Sequence, residues 1–192
     1  MISKFFNFFG ENKPFKFSGD LYRDIITQLG GKQFGNGLFN IFTRKDAVIM
    51  KSYVAHEFYR IRRRFEFELF AYDWMGRCYG ILEEGEDKGR VLAFDPDEEE
   101  IFDLECDLEY FLNYVLRENE DILLWPEEYE QWLEFSHQRV EYGKCAGYKK
   151  LLFTGGKDEI TNREYSDLRV YWYVIAEVSK RLDEKEKQNT NA

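Results

Sequence analysis

Gly155-Gly156-Lys157-Asp158 carries the glycines and lysine with which a phosphate loop wraps an anion, and it is the first place in this sequence to look for chemistry. The leading glycine position of such a loop holds Leu151, and Asp158 stands where a Ser or Thr would hold magnesium, so a carboxylate would face the phosphate. Asp95, Asp97 and Glu99 repeat the first three ligand positions of a calcium loop, yet Glu100 replaces the turn glycine and Cys106 the closing bidentate glutamate. The glycines from Gly30 to Gly37 do not form G-x-G-x-x-G, which leaves a dinucleotide site without support. Glu66 and Glu68 would lie about 7 Å apart along a strand, a spacing that acid/base work would allow but that a solvated strand face explains better. There is no G-x-S-x-G elbow, and Cys78, Cys106 and Cys145 have neither a base close in sequence nor a C-x-x-C spacing. His56 and His137 lie in no H-E-x-x-H context. These residues therefore assign no catalytic side chain, cofactor or metal ligand, and the expectation is a binding protein rather than an enzyme.

The distribution of charge says more. The net charge of the 192 residues is −10. Met1 to Arg64 holds twelve Lys/Arg against five Asp/Glu; Phe65 to Arg90 holds three against seven; Val91 to Gln138 holds one against sixteen; Arg139 to Ala192 holds eleven against nine. The segment 91–138, whose one base is Arg117, cannot neutralise itself by i,i+4 pairs, so it must meet the basic first third, stay solvated or face a basic partner. Direct nucleic-acid binding is disfavoured by this balance. The cluster Arg60, Arg62, Arg63, Arg64 is the exception, and its simplest reading is a helix end where cations complement the macrodipole.

The elements that must position these residues are legible in the periodicity. The first 17 residues, with six phenylalanines, are too aromatic to be a free tail. Ser18 is a plausible cap for a helix with Leu21, Ile25, Ile26 and Leu29 on one stripe, ending at Gly30-Gly31. A strand over Leu38 to Phe42 and a helix over Asp46 to Arg60 follow. From Phe65 the period becomes two: Phe65, Phe67, Leu69 and Ala71 alternate with Glu66, Glu68, Phe70 and Tyr72, which predicts a strand with one buried face. Arg77 to Leu82, Val91 to Phe94 and an edge strand at Ile101 to Glu105 complete an antiparallel meander joined by tight loops. Asp107 should cap a helix carrying Leu108, Phe111, Leu112, Val115 and Leu116, and Pro126 should open another over Glu127 to Arg139. Tyr148 to Phe153 reads as extended, a last helix spans about Asp167 to Leu182, and residues 185–192 read as a disordered tail. Apolar runs fall well short of the ~20 residues of a membrane span, no small-residue cleavage site follows Met1 to Gly10, and the odd cysteine count argues against disulfides. The expectation is a soluble, cytoplasmic protein, monomeric or dimeric, with no membrane partner.

The run Phe70-Ala71-Tyr72-Asp73-Trp74-Met75-Gly76-Arg77-Cys78-Tyr79, followed by Val91-Leu92-Ala93-Phe94-Asp95-Pro96 and Tyr110-Phe111-Leu112, resembles the C-terminal domain of bacterial type VI secretion immunity proteins, which sits near the SUKH superfamily of toxin-neutralising proteins. Gly147-Tyr148-Lys149, Leu152-Phe153, Gly155-Gly156-Lys157-Asp158, Asn162, Asp167 and Val170-Tyr171-Trp172 resemble the tail of the same group. The likeness spans roughly Gly30 to Leu116 and Tyr148 to Leu182; Asn119 to Cys145 and the Phe-rich start match nothing in it. It implies an intracellular immunity protein, or antitoxin, that binds and silences a cognate toxin. In architectural terms Tyr72 and Trp74 should fill the sheet-to-helix core, Asp73 and Gly76 should shape a turn with a positive φ at Gly76, and Arg77 should pair with Asp73 or Asp95. Gly155, Gly156, Asp158 and Trp172 join them as scaffold residues.

The reading is then an α+β fold: a twisted antiparallel sheet of about four to six strands packed with helices, over residues 1–184, with a helical extension over 119–145. An acidic surface would dock on a basic toxin, a nuclease being the class it suits. The expected contacts are Asp97, Glu98, Glu99, Glu100, Asp103, Glu105, Glu109, Tyr110, Glu127, Glu128 and Tyr129, with Tyr110, Trp125 and Tyr129 as exposed aromatic anchors. A regulatory or scaffolding module binding a host protein or small ligand in a sheet cleft is the alternative, and a carboxylate-dependent hydrolase the third reading.

Overall fold

The computed structural model describes residues 2–11, 14–58 and 66–190. Arg60, Arg62, Arg63 and Arg64, and the end of the helix predicted to reach Arg60, lie outside them. In chain order the elements are α1 (Ser3–Phe8), α2 (Leu21–Leu29), β1 (Gln33–Phe34), β2 (Phe39–Ile41), α3 (Arg44–Phe58), β3 (Phe67–Asp73), β4 (Cys78–Leu82), β5 (Arg90–Asp95), β6 (Glu100–Asp107), α4 (Leu108–Tyr110), a π-turn at Phe111–Val115, α5 (Leu116–Glu118), α6 (Glu120–Leu123), α7 (Pro126–Ser136), β7 (Lys144–Tyr148), β8 (Arg163–Asp167) and α8 (Leu168–Thr190). The fold is α+β. Strands β1 to β6 form one antiparallel sheet in sequence order, and β7 pairs with β8 in a second, two-stranded sheet.

The six-stranded sheet is covered on both faces, where the sequence pattern predicts one buried face. One apolar cluster joins Phe70, Ala71, Tyr79, Ile81, Val91 and Ala93 to α1, α2 and the helices after β6. The other joins Phe67, Leu69, Tyr72, Cys78, Leu92 and Phe94 to α3 and α8. A bulge between Leu69 and Ala71 moves β3 out of phase, so that Phe70 and Ala71 serve the same core and Tyr72 returns to the other. A two-residue period with phenylalanine on both phases cannot say that a second layer exists; that information is in α8, about 100 residues later.

Local chemistry explains the element ends, with some differences from expectation. Asp20, not Ser18, caps α2 by accepting from the backbone N–H of Arg23, and Ser18 instead donates its hydroxyl to Asp24. Thr43 caps α3 through the backbone N–H of Asp46. Asp107 caps α4 as expected, accepting from Tyr110 N–H. The stretch expected to be extended at Tyr148 to Phe153 is the end of β7 followed by a 3-10 turn at Leu152–Thr154, and its partner β8 has no strong strand signature in sequence. Helix α8 runs on to Thr190 through the segment expected to be a disordered tail. That segment begins Lys185-Glu186-Lys187-Gln188, all good helix formers.

Candidate partner-binding surface

The acidic segment divides at Asp97. On its N-terminal side, Asp95 and Asp97 are buried together with Asp73, the last residue of β3, in a polar knot where the β3–β4 turn, the β5–β6 turn, β7–β8 and α8 meet. Oδ1 of Asp73 accepts from the backbone N–H groups of Met75, Gly76 and Arg77 at 3.0 to 3.1 Å, which forms the turn, and Gly76 takes a φ of +100° there. The Tyr79 hydroxyl lies 3.1 Å from Oδ2 of Asp73. Arg77 places Nε at 2.8 Å and Nη2 at 2.6 Å from Oδ2 of Asp95, while Oδ1 of Asp95 accepts from the N–H of Asp97 at 2.9 Å. Asp97 accepts from the Tyr171 hydroxyl of α8. Beside it, the buried Arg163 stacks 4.1 Å from the Tyr148 ring centroid and 4.9 Å from that of Trp74, donates to the Ala146 carbonyl and the Tyr148 hydroxyl, and pairs with Asp158 at 3.5 Å. Trp172 ties α8 to the turn by donating to the Gly76 carbonyl at 2.9 Å.

Burial raises the Asp73 carboxyl to about 6 and the Asp97 carboxyl to about 7, with neighbouring charge from Asp95 adding to both, because ionised forms are costly away from water. Arg77 is held charged more firmly than an ordinary guanidinium; Tyr79, Asp95 and Asp73 outweigh its own desolvation. With the oxygens of Asp95 committed to a guanidinium and to backbone donors, and Asp97 facing the Tyr171 hydroxyl, the two are not arranged as calcium ligands. The Gly155–Asp158 stretch is likewise structural. Gly155 has a φ of +86°, a Cβ at Gly156 would sit 1.9 Å from the Lys150 carbonyl oxygen, and Lys157 is exposed and paired with Glu159 at 3.5 Å. Glu66 and Glu68 both bind Lys51, at 3.2 and 3.1 Å.

Beyond Asp97 the carboxylates turn outward. Glu98, Glu100, Asp103, Glu105, Asp107 and Glu109 are exposed, as are Asp121, Glu127, Glu130 and Glu134. Among the described residues, Asp103 pairs with Arg90 at 3.1 Å and Glu118 with Arg117 at 3.3 Å. Those two partners lie in β5 and α5. Burial along β6 alternates, with Phe102, Leu104 and Cys106 leaning on one core and Ile101 on the other, so the carboxylates between them project from the margin of the sheet.

Two of the expected contacts are corrected. Asp97 is 8% exposed and faces Tyr171; Tyr129 is 2% exposed, packs on Trp74 at 5.2 Å between ring centroids and donates to the Asn36 carbonyl. Asp97 points inward from the β5–β6 turn and Tyr129 lies on the inner side of α7, which a run of acids and a Glu-Glu-Tyr helix start do not reveal. Glu128 is half-buried, Glu99 accepts from Ser179 on α8, and Tyr110 is exposed and stacks on Tyr114. Arg163 is the member of this junction that the sequence does not mark, since a lone arginine in a stretch of turns gives no signal that it is buried. A cleft of about 600 Å³ lies between α2 and α3, lined by Tyr22, Arg23, Arg44, Val48 and Glu68 among others.

No family model matches the chain, and no curated protein matches it. Among solved structures it is similar to the crystal structure of Atu4351 from Agrobacterium tumefaciens, at 15% identity and a TM-score of 0.62, over 92% of this chain and 88% of that one. The likeness is one of fold: this chain shares its architecture with Atu4351.

Proposed function

We propose that this protein is a non-catalytic, cytoplasmic binding protein that neutralises a basic protein toxin by docking on it through the acidic surface that follows Asp97. The observation that carries the reading is the outward projection of Glu98, Glu100, Asp103 and Glu105 from one margin of the sheet, with Arg90 the cation beside them. Charge placed this way contributes mainly to association rate and orientation, as an inhibitor of a phosphate-attracting enzyme requires. The scaffold motif Tyr72-Asp73-Trp74 with Gly76-Arg77, spent on a buried knot, supports the same reading, since a common core leaves the solvated margin free to vary in what it binds. The resemblance to immunity proteins supplies the toxin as partner. No helix among the described residues is long and apolar enough to cross a membrane, which is compatible with a cytoplasmic site of action.

Co-expression with the product of the neighbouring gene, followed by co-purification and a growth-rescue assay, tests the proposal. A complex whose affinity falls as salt rises, with rescue of growth, is the expected result. Recovery of no complex together with no protection would overturn it.

A further inference from the structure

The two edges of the six-stranded sheet are unlike. β1 is two residues long, and its Gln33 side chain is tied to the Val140 carbonyl at 2.9 Å, so that edge is short and covered. β6 is eight residues long, its other neighbour is β5, and no strand among the described residues pairs with its outer side. An edge strand of this kind presents outward-facing N–H and C=O groups at alternate residues, a template for one more strand. The register with β5 is continuous from Asp95↔Glu100 to Leu92↔Asp103 and then shifts, and Glu105 takes a φ of +52°. The regular part of the open edge is therefore Glu100 to Asp103.

Charge selects what can pair there. A second copy of β6 would set carboxylate against carboxylate across the new ladder, which is unfavourable, whereas lysine or arginine on the incoming strand would face Asp103. We infer that β6 accepts a basic, extended segment of the partner protein as a seventh strand of the sheet, with main-chain hydrogen bonds supplying affinity and the β6 carboxylates selecting the sequence. Partly buried Phe102 and Leu104 on one side of β6 suit apolar residues on one face of that segment, and the exposed Asp103 on the other side suits its cations. This rests on the proposed partner-binding reading and states the form in which the partner binds.

The test uses the full chain, isotope-labelled, titrated with a nine-residue peptide of alternating lysine and valine and with the same peptide N-methylated at alternate backbone nitrogens. Strand addition predicts amide shift changes and slowed hydrogen exchange centred on Glu100 to Asp103, with binding about tenfold weaker for the methylated peptide, the size expected from losing one or two backbone hydrogen bonds. A glutamate–valine peptide should not bind. Equal, salt-sensitive binding of the two lysine peptides would overturn strand addition while leaving charge-driven docking intact, and perturbations centred on α7, or none anywhere, would also overturn it. Failure of the co-purification experiment, by contrast, removes the toxin-binding reading whatever the peptide does.

Discussion

Asp95 and Glu100 face each other across the β5–β6 turn, yet one is nearly sealed from water and the other is open to it. Asp95 is met by the Arg77 guanidinium and by the N–H of Asp97; Glu100 is met by solvent. The contrast separates two uses of one residue type. A buried carboxylate is tolerated where a guanidinium and backbone donors replace its water, and it then orders a junction of several elements. An exposed one costs the fold little and is available to a partner. A net count of negative residues therefore overstates the surface potential of the segment, since its first members are consumed inside.

The strongest way to break this comparison is Arg77→Met, which leaves Asp95 buried without its guanidinium. A loss of about 3–5 kcal/mol is expected in urea unfolding; a change below about 1 kcal/mol would mean that the knot is held by packing alone. Gly147→Ala acts on the same junction from β7, because a Cβ there would fall 2.4 Å from the Tyr171 ring. Displacing that ring should cost about 1–3 kcal/mol, read as a lower Tm.

Asp97 gives a test with a sign. Its folded-state carboxyl titrates near 7, above the ordinary 3.8, so its protonated form is favoured by folding. Stability from this group is complete below pH 3.8 and is lost as pH rises through about 7. Asp97→Asn, which can still accept from Tyr171, should flatten that slope and leave the protein about 1–2 kcal/mol more stable than its parent at pH 8. Parallel stability–pH curves for the two proteins would show that Asp97 is not held away from water as described.

The smallest effect on stability is expected at the margin. Glu98→Lys with Glu100→Lys should change unfolding free energy by no more than about 0.5 kcal/mol while lowering the association rate with a basic partner and weakening its salt dependence. Should this pair destabilise the fold as much as Gly147→Ala, the distinction between interior and margin fails.

The meander was legible from residue types alone. Period-two runs broken by Asp73 to Gly76, by the glycines of 83–89 and by Asp95-Pro96 leave little choice but antiparallel neighbours joined in order, and Asp107 and Pro126 mark helix starts by chemistry confined to one turn. The edge position of β6 could be read in the same way from its alternating acids. The bulge in β3, the β7–β8 pair and the inward aim of Asp97 and Tyr129 could not.

The reason lies in range. Turn formation, capping and strand period depend on neighbours within a few residues, so the sequence by itself determined the order of elements and the excess of carboxylates in one quarter of the chain. Whether a given carboxylate is charged, buried or available depends on what the fold brings to it: Tyr171 reaches Asp97 across 74 positions, and Trp172 reaches the turn at Gly76 across 96. Solvation is a property of the assembled interior, and only the tertiary structure decided which aspartates hold the protein together and which face outward.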